Sequence, residues 1–562
     1  MVKDVLRVVT RPVGFVLGQG LTAAAKARLG NAGVIDLKLD GNVRHPLLLL
    51  HNLEQAVATR AVKGVVLDLS ALSWGWATLQ EWHAGLLRIR NLGKLVVVFA
   101  SSPGNAGMFL ASAADRVIVP PMGEVGVVGI GGRLRFIGPL LERLGLRFDV
   151  EAAGEYKSLG ETFTREYPSA ENREAVSGLI DDLHADLVGA LAKSRGLDAE
   201  TVQELIDRAP LHPDEAKEAG LIDLVAYEDA IDTLLEDLVG TEVKRVPYRG
   251  VEMLLRAARR VEDFLSDDPL VAVVHLEGQV TMASGPSARP RISPTEVLPM
   301  LRAIREHDNV DAVVLAIESP GGSVLASDLI WHEVELLAKD KPVIASFGDV
   351  AASGGYYIAA PVHGIVARPG TMTGSIGVVG GKLVTGKAGA ALGVFTEAID
   401  RGRNAGLYQP DQPFDDHQRA KFRRRLEQTY EGFVRRVSEG RGTDYDTVEA
   451  VARGRVWTGR RAMEVGLVDD LGGLEEAIRQ ARSKAGISPG RPWRRVDVIV
   501  RPARTWLMEV LPQAAQVVVG SLGLGSLLTT VESLGVPNGT VEFLAEHPNE
   551  PLALLPVELD IR

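Results

Sequence analysis

Ser353 stands in "SFGDVAASGGYYIAA" (346–360), a run of small residues with two glycines directly after it and two tyrosines beyond them. A serine hydroxyl attacks a carbonyl only when a base takes its proton and donors hold the oxyanion. The strand-like "KPVIASF" precedes it and the apolar "YYIAA" follows. Gly354 and Gly355 let the backbone turn sharply there and let a carbonyl come close. On spacing alone the run also reads as a Gly/Ala-rich bend with one small hydroxyl. No suitable histidine lies nearby, and the chain has only 11 His in 562 residues. The nearest, His363 in "PVHGIVARP", sits among apolar neighbours and reads as a packed structural residue. A second stretch, "ESPGGS" (318–323), follows the strand-like "DAVVLAI". Glycine N–H groups at a strand end can point at a developing negative charge, and a helix starting at Ser323 adds its positive end. The plain alternative is a Pro-Gly turn.

Those residues need a scaffold, and the chain is long enough for two or more domains. Charged residues make up 24% and hydrophobic residues 46%, as in a folded globular protein. The net charge of −11 argues against a nucleic-acid partner. The absence of cysteine removes disulfides, thiolate catalysis and Cys-ligated zinc. Neither a "GxxxxGK[ST]" nor an "HExxH" motif is present, so no cofactor and no metal is expected. The uncharged run from Pro12 to Ala25 is too short to span a bilayer. A second uncharged run, Val510 to Val531, carries Pro512, Gln513, Gln516 and several glycines, and reads as an interfacial or buried helix.

The chain repeats itself at a shift of 248 residues. "VKGVVLDLSA" (62–71) aligns with "VDAVVLAIES" (310–319), and "FLASAADRVIVPPMGEVGVVGI" (109–130) aligns with "YIAAPVHGIVARPGTMTGSIGV" (357–378). Each copy alternates short apolar strands with helical stretches, which predicts an α/β fold of two tandem modules with mainly parallel sheets. The expected division is a leader at 1–33, a first module at 34–248, a helical joint at 249–270, a second module at 271–488 and a C-terminal extension at 489–562.

A strand ending in "SPGGS", another leading to "ASGGYYIA", and then "TGSIGV" resemble the signal peptide peptidase A family, the protease IV type of serine peptidase of family S49. The resemblance covers roughly residues 34–484 as the double-length form, and it implies a ClpP/crotonase-like fold and a Ser–Lys dyad. The segment "EAAGEYKSLGETF" (151–163) resembles the one carrying the family's lysine, which places the base at Lys157. At the 248-residue shift, Ser353 corresponds to Asn105, Ser375 to Val127 and Lys157 to Ala405. The copy with the serine thus lacks the lysine, and the copy with the lysine lacks the serine. That reciprocity predicts one composite site at the interface of the two modules. A lysine base needs a depressed pKa, which burial supplies. By the same resemblance Ser375 in "TGSIGV" orients the lysine. The backbone N–H groups of Gly354 and Gly322 are the expected oxyanion donors.

The expected reaction is amide hydrolysis through an acyl-enzyme. The resemblance implies apolar peptide substrates, including signal peptides already released from preproteins. It also implies a homotetramer with sites facing inward and a membrane-associated protein at the periplasmic face of the inner membrane, with cytoplasmic placement left open. Two rival readings share the fold: a crotonase-like acyl-CoA enzyme, and a catalytically inactive scaffold.

Overall fold

The computed structural model describes residues 33–40, 43, 45–69, 72–249, 251–252, 268–283, 290–499 and 552–554. Apart from a few residues at their edges, the leader, the joint near 250–268 and the apolar stretch 505–531 lie outside the described residues. The strands in chain order are β1 (Gly33–Leu39), β2 (Val62–Leu69), β3 (Leu95–Ala100), β4 (Arg116–Val119), β5 (Arg147–Ala153), β6 (Leu224–Val225), β7 (Lys244–Pro247), β8 (Leu270–Glu277), β9 (Gln279–Val280) and β10 (Arg291–Ile292). They continue with β11 (Val310–Ser319), β12 (Gly321–Ser323), β13 (Val343–Ala352), β14 (Ile365–Ala367), β15 (Met372–Gly374), β16 (Val378–Val384), β17 (Val456–Thr458), β18 (Asp470–Leu471), β19 (Arg494–Ile499) and β20 (Leu552–Leu554). No helix among the described residues is long and apolar enough to cross a membrane.

The chain forms two compact units. Among the described residues, the first holds those between 33 and 131 and between 181 and 268, and the second holds 132–180, those between 269 and 499, and 552–554. In the first unit the strands lie in the order β6-β4-β3-β2-β1-β7, all parallel. Alternate residues of β1–β4 face opposite layers. Ile35, Leu37, Val65, Leu67, Val96 and Val98 pack under the helices Pro46–Val57 and Trp76–Asn91, while Val34, Val66, Val97 and Ile118 pack under Ile231 and Leu235. Burial on both faces explains why these strands read as continuous apolar runs.

The second unit contains a larger sheet whose main path is β17-β15-β13-β11-β8-β19, with β14 joined to β13 and β18 to β14. Its ladders are parallel except for β15 with β17. A second sheet runs β10-β9-β12-β20-β16-β5. The helix Val324–Asp340 starts where the Ser323 hydroxyl accepts the Ala326 N–H, 3.3 Å away. It buries Ala326, Ile330, Val334 and Leu337, three or four residues apart, against the large sheet. The predicted strands at 311–317 and 341–347 and the helix between them are all present. So is the repeat: β2 and β11 start at Val62 and Val310, and β3 and β13 at Leu95 and Val343, each pair 248 residues apart.

The units part from the sequence-based division in two respects, the first being that β19 and β20, from the expected extension after 488, pair into the sheets of the second unit. The second is that residues 132–180 come from the first sequence half yet belong to the second unit. The cause is β5, which finds its ladder on β16, antiparallel and in continuous register from Val378↔Ala153 to Val384↔Arg147. Side chains pin it there. Asp149 lies 2.6 Å from Arg419 and accepts the Phe414 N–H at 2.7 Å, and Glu151 pairs with Arg423 at 2.9 Å.

Candidate active site

Four elements of the second unit converge. The strand β13 ends at Ala352, and the chain enters the helix Gly354–Ala359 through Ser353, at φ 54° and ψ −113°. A non-glycine residue pays for that conformation, so surrounding bonds must hold it. The Ser353 N–H donates to the Gly374 carbonyl, and the Ser353 carbonyl accepts the Tyr357 N–H, each at 2.8 Å. Behind the turn, Tyr356 and Tyr357 are buried. Their hydroxyls donate to the Leu467 carbonyl and the Asp328 carboxylate, each at 2.8 Å. The tyrosines next to the serine are thus anchors of its helix.

The strand β11 leads into β12, which carries Gly321 and Gly322. A Cβ on Gly322 would sit 1.9 Å from the Val280 carbonyl oxygen, and one on Gly354 would sit 3.1 Å from the Gly322 nitrogen. Glycine at both positions therefore lets the two backbones, and their N–H groups, approach each other. The Ser319 hydroxyl accepts the Gly321 N–H at 3.2 Å and fixes the turn.

The β5–β16 ladder delivers the remaining groups. Lys157 follows β5 by four residues, and Ser375 precedes β16 by three. Lys157 Nζ stands 2.7 Å from Ser353 Oγ, 2.9 Å from Ser375 Oγ and 3.0 Å from the Ser375 carbonyl oxygen. Ser353 and Ser375 are fully buried and Lys157 is 3% exposed. Among the described residues no carboxylate bonds the amine, and burial alone pushes its pKa well below the ordinary lysine value. The three contacts suit a neutral amine. Its two N–H groups reach the Ser375 carbonyl, which can only accept, and the Ser375 hydroxyl, and its lone pair is left facing Ser353. The arrangement can accept a proton from Ser353 Oγ.

The structure thus brings together all five residues singled out in the sequence: Ser353, Lys157, Ser375, Gly354 and Gly322. His363 is elsewhere. Its Nδ1 accepts the N–H of Val343, at the far end of β13 from Ser353, so about ten residues of strand, roughly 30 Å, separate the two. In the first unit Asn105, the counterpart of Ser353, ties its amide to Gly129 through both backbone groups, at 2.8 and 3.2 Å.

Two groups escaped the sequence reading. Glu318, half-buried at the end of β11, accepts the N–H groups of Asp349 (2.6 Å) and Val350 (3.1 Å). It clamps the bulge where β13 gains two residues on β11, between Ile317↔Phe347 and Ser319↔Ala351. Burial, with the Asp349 charge second, pushes its carboxyl well above the usual range. The turn 453–455 lies against Lys157 and Ser375, and its sequence, "RGR", carries no motif that would have pointed to it. No group of three or more His, Asp or Glu side chains among the described residues could hold a metal ion.

Comparison with known proteins follows this geometry. The profile described as Peptidase family S49 matches residues 88–242 and 335–488. The chloroplastic serine protease SPPA of Arabidopsis thaliana is 32% identical over 476 residues, covering 84% of this chain and 70% of the relative. Protease 4 of Salmonella typhi is 27% identical over 538 residues, covering 92% of this chain and 84% of the relative. Among solved structures, ClpP1 from Listeria monocytogenes matches at 15% identity and TM-score 0.24, over 38% of this chain and 94% of that one. A membrane-bound stomatin-specific protease in complex with a substrate peptide matches at 16% identity and TM-score 0.27, over 43% of this chain and 96% of that one. With two matched segments that together span more than half of its length, the chain belongs to peptidase family S49, as a serine-type peptidase of the SppA and protease 4 kind.

Proposed function

We propose that the chain is an endopeptidase that cleaves apolar peptides, cleaved signal peptides among them, with Ser353 as nucleophile and Lys157 as general base. The observation that carries this reading is the 2.7 Å contact between a buried, carboxylate-free lysine amine and a buried serine hydroxyl held at positive φ. Neutral Lys157 takes the Ser353 proton as Oγ attacks the peptide carbonyl. The oxyanion forms against the N–H groups of Gly354 and Gly322. The Lys157 ammonium then returns its proton to the leaving amine, and water enters the same cycle to release the acyl-enzyme. Ser375 holds the amine with its hydroxyl and carbonyl throughout, so the base keeps one orientation.

The substrate lies as an extended strand beside β12. Support comes from β20, which runs antiparallel to β12 with Ala553 opposite Gly322 and also meets β16 at Val379. A strand therefore fits between those two edges. The same reading includes a homotetramer and association with a membrane surface at the periplasmic face of the inner membrane, as its relatives' kind suggests.

The test is hydrolysis of an apolar fluorogenic peptide in mild detergent by wild type, Ser353→Ala and Lys157→Ala. Both variants should lose at least about a thousandfold in kcat at unchanged oligomeric state. A Lys157→Ala variant that keeps its rate would sink the dyad, and a Ser353→Ala variant that keeps its rate would sink the nucleophile.

A further inference from the structure

Among the described residues only three non-glycine residues have positive φ: Ser353 at 54°, Ser375 at 50° and Arg453 at 52°. The first two belong to the reacting cluster. Strained backbone persists where the surroundings over-determine it, and it gathers at functional sites. Arg453 touches none of the reacting atoms, so its strain needs another account.

The backbone around it supplies one. The Arg453 carbonyl accepts the Tyr156 N–H at 2.8 Å, one residue before the lysine. The Gly454 N–H donates to the Ile376 carbonyl, and the Arg455 carbonyl accepts the Ser375 N–H, each at 2.7 Å. One short turn therefore grips the lysine segment on one side and the Ser375 segment on the other. Three glycines make the approach possible. A Cβ on Gly454 would stand 2.6 Å from the Lys157 nitrogen, one on Gly154 would stand 2.5 Å from the Arg453 carbonyl carbon, and one on Gly377 would stand 2.8 Å from the Gly454 Cα. Contacts that short are closed to any other residue unless the backbones part. On the outer side the Arg455 guanidinium covers the Tyr156 ring at 4.9 Å and the Trp457 ring at 4.3 Å, and pairs with Glu174 at 2.8 Å.

We propose that the turn Arg453–Gly454–Arg455 is the positioning element of the general base, setting where Lys157 Nζ stands relative to Ser353 and Ser375. The proposal rests on Lys157 being that base. The turn acts through backbone: it holds the carbonyl and hydroxyl of Ser375 on one side of the amine, and it keeps the lysine segment from drifting toward water. The ionisable groups on the elements packed around the lysine are Glu155 and Tyr156 on its own segment, Arg453 and Arg455 on the turn, Glu174 on the helix Ala170–Arg195 and Tyr430 on the helix Asp416–Arg441. They pair outward among themselves, as Arg453 does with Glu155 at 3.9 Å and Arg455 with Glu174, and the Tyr430 hydroxyl accepts the Arg453 N–H at 3.1 Å. None bonds Nζ.

The experiment is a pH–rate profile of the full chain with an apolar fluorogenic peptide, run for wild type, Gly454→Ala, Arg455→Leu, Arg455→Lys and Lys157→Ala. Gly454→Ala should lower kcat by about a hundredfold, as a shift of roughly 1 Å in a reacting group does, with KM within about threefold. Its acid limb should move to higher pH, because a displaced amine is wetter and holds its proton longer. Arg455→Leu should give the same shift in a smaller measure, and Arg455→Lys should restore part of it. A purely structural turn would lower melting temperature in Gly454→Ala and Arg455→Leu while leaving the acid limb where it was, and that result would overturn the proposal. If Gly454→Ala does not fold, the Arg455 pair decides by the same criterion. Activity surviving in Lys157→Ala would instead remove the dyad reading on which the proposal stands.

Discussion

An amine on a flexible four-carbon stem keeps its proton at neutral pH in water, and Lys157 departs from that because it is dry. Burial is the whole cause of its depressed pKa, so the acid limb of the activity profile should fall below the ordinary lysine value of 10.5, with activity rising as the base loses its proton. The same shift has a stability consequence of definite sign. Between the folded-state pKa and 10.5 the unfolded chain binds the extra proton, so folding is penalised there and the penalty fades as pH rises. Wild type should therefore gain stability relative to Lys157→Met as pH climbs from neutral toward that value, measured by urea unfolding at several pH values; a constant difference would contradict a neutral buried lysine. Ser375→Ala should cut kcat by roughly ten- to a hundredfold and leave KM nearly unchanged, because it removes an orienting contact on the base and none on the substrate. These three residues were legible because the segments that carry them resemble the family's motifs. The reciprocal presence and absence of the serine and the lysine in the two repeats then singled out Ser353 and Lys157. The turn at 453–455 was not legible, because it works through carbonyl and N–H groups that every residue has.

At the scale of elements, the site depends on two strands entering it out of step. Glu318 at the end of β11 holds the two-residue bulge of β13 just before Ser353, and Gly348 leaves room for its carboxyl, whose Oε2 would lie 2.1 Å from a Cβ there. Both carboxyl oxygens of Glu318 accept an N–H, whereas the glutamine amide offers one acceptor oxygen and turns its NH2 toward the other N–H. Glu318→Gln should therefore lose part of the clamp and about threefold in kcat/KM. Glu318→Ala strands two buried N–H groups at about 1–3 kcal/mol each and should lose at least tenfold in kcat/KM along with several degrees of melting temperature. Equal losses in both variants would show that the charge, and not the clamp, matters. The strands β11 and β13 and the helix between them were readable from apolar periodicity, since a parallel sheet covered on both faces leaves runs such as "DAVVLAI". The pairing of β5 with β16 was not readable, because strand partners separated by more than 200 residues leave no local trace.

For the whole molecule, β20 occupies the edges that a peptide strand would use. If both contend for β12 and β16, a chain ending at Pro551 should show a lower KM for the fluorogenic peptide at similar kcat; an unchanged KM would place the substrate elsewhere. The path of the chain has a further consequence. Residues 132–180 leave the first unit, give the second its β5 and Lys157, and are followed by residues that return to the first. Descent is constrained accordingly. A lineage that discarded the first repeat at the joint near residue 260 would lose the base together with it, and one that kept the first repeat alone would keep a lysine with no serine to serve. If Ser353 and Lys157 are the reacting pair, the two halves can diverge in sequence, as Asn105 and Ala405 show they have, but deletion of either one would remove a member of that pair.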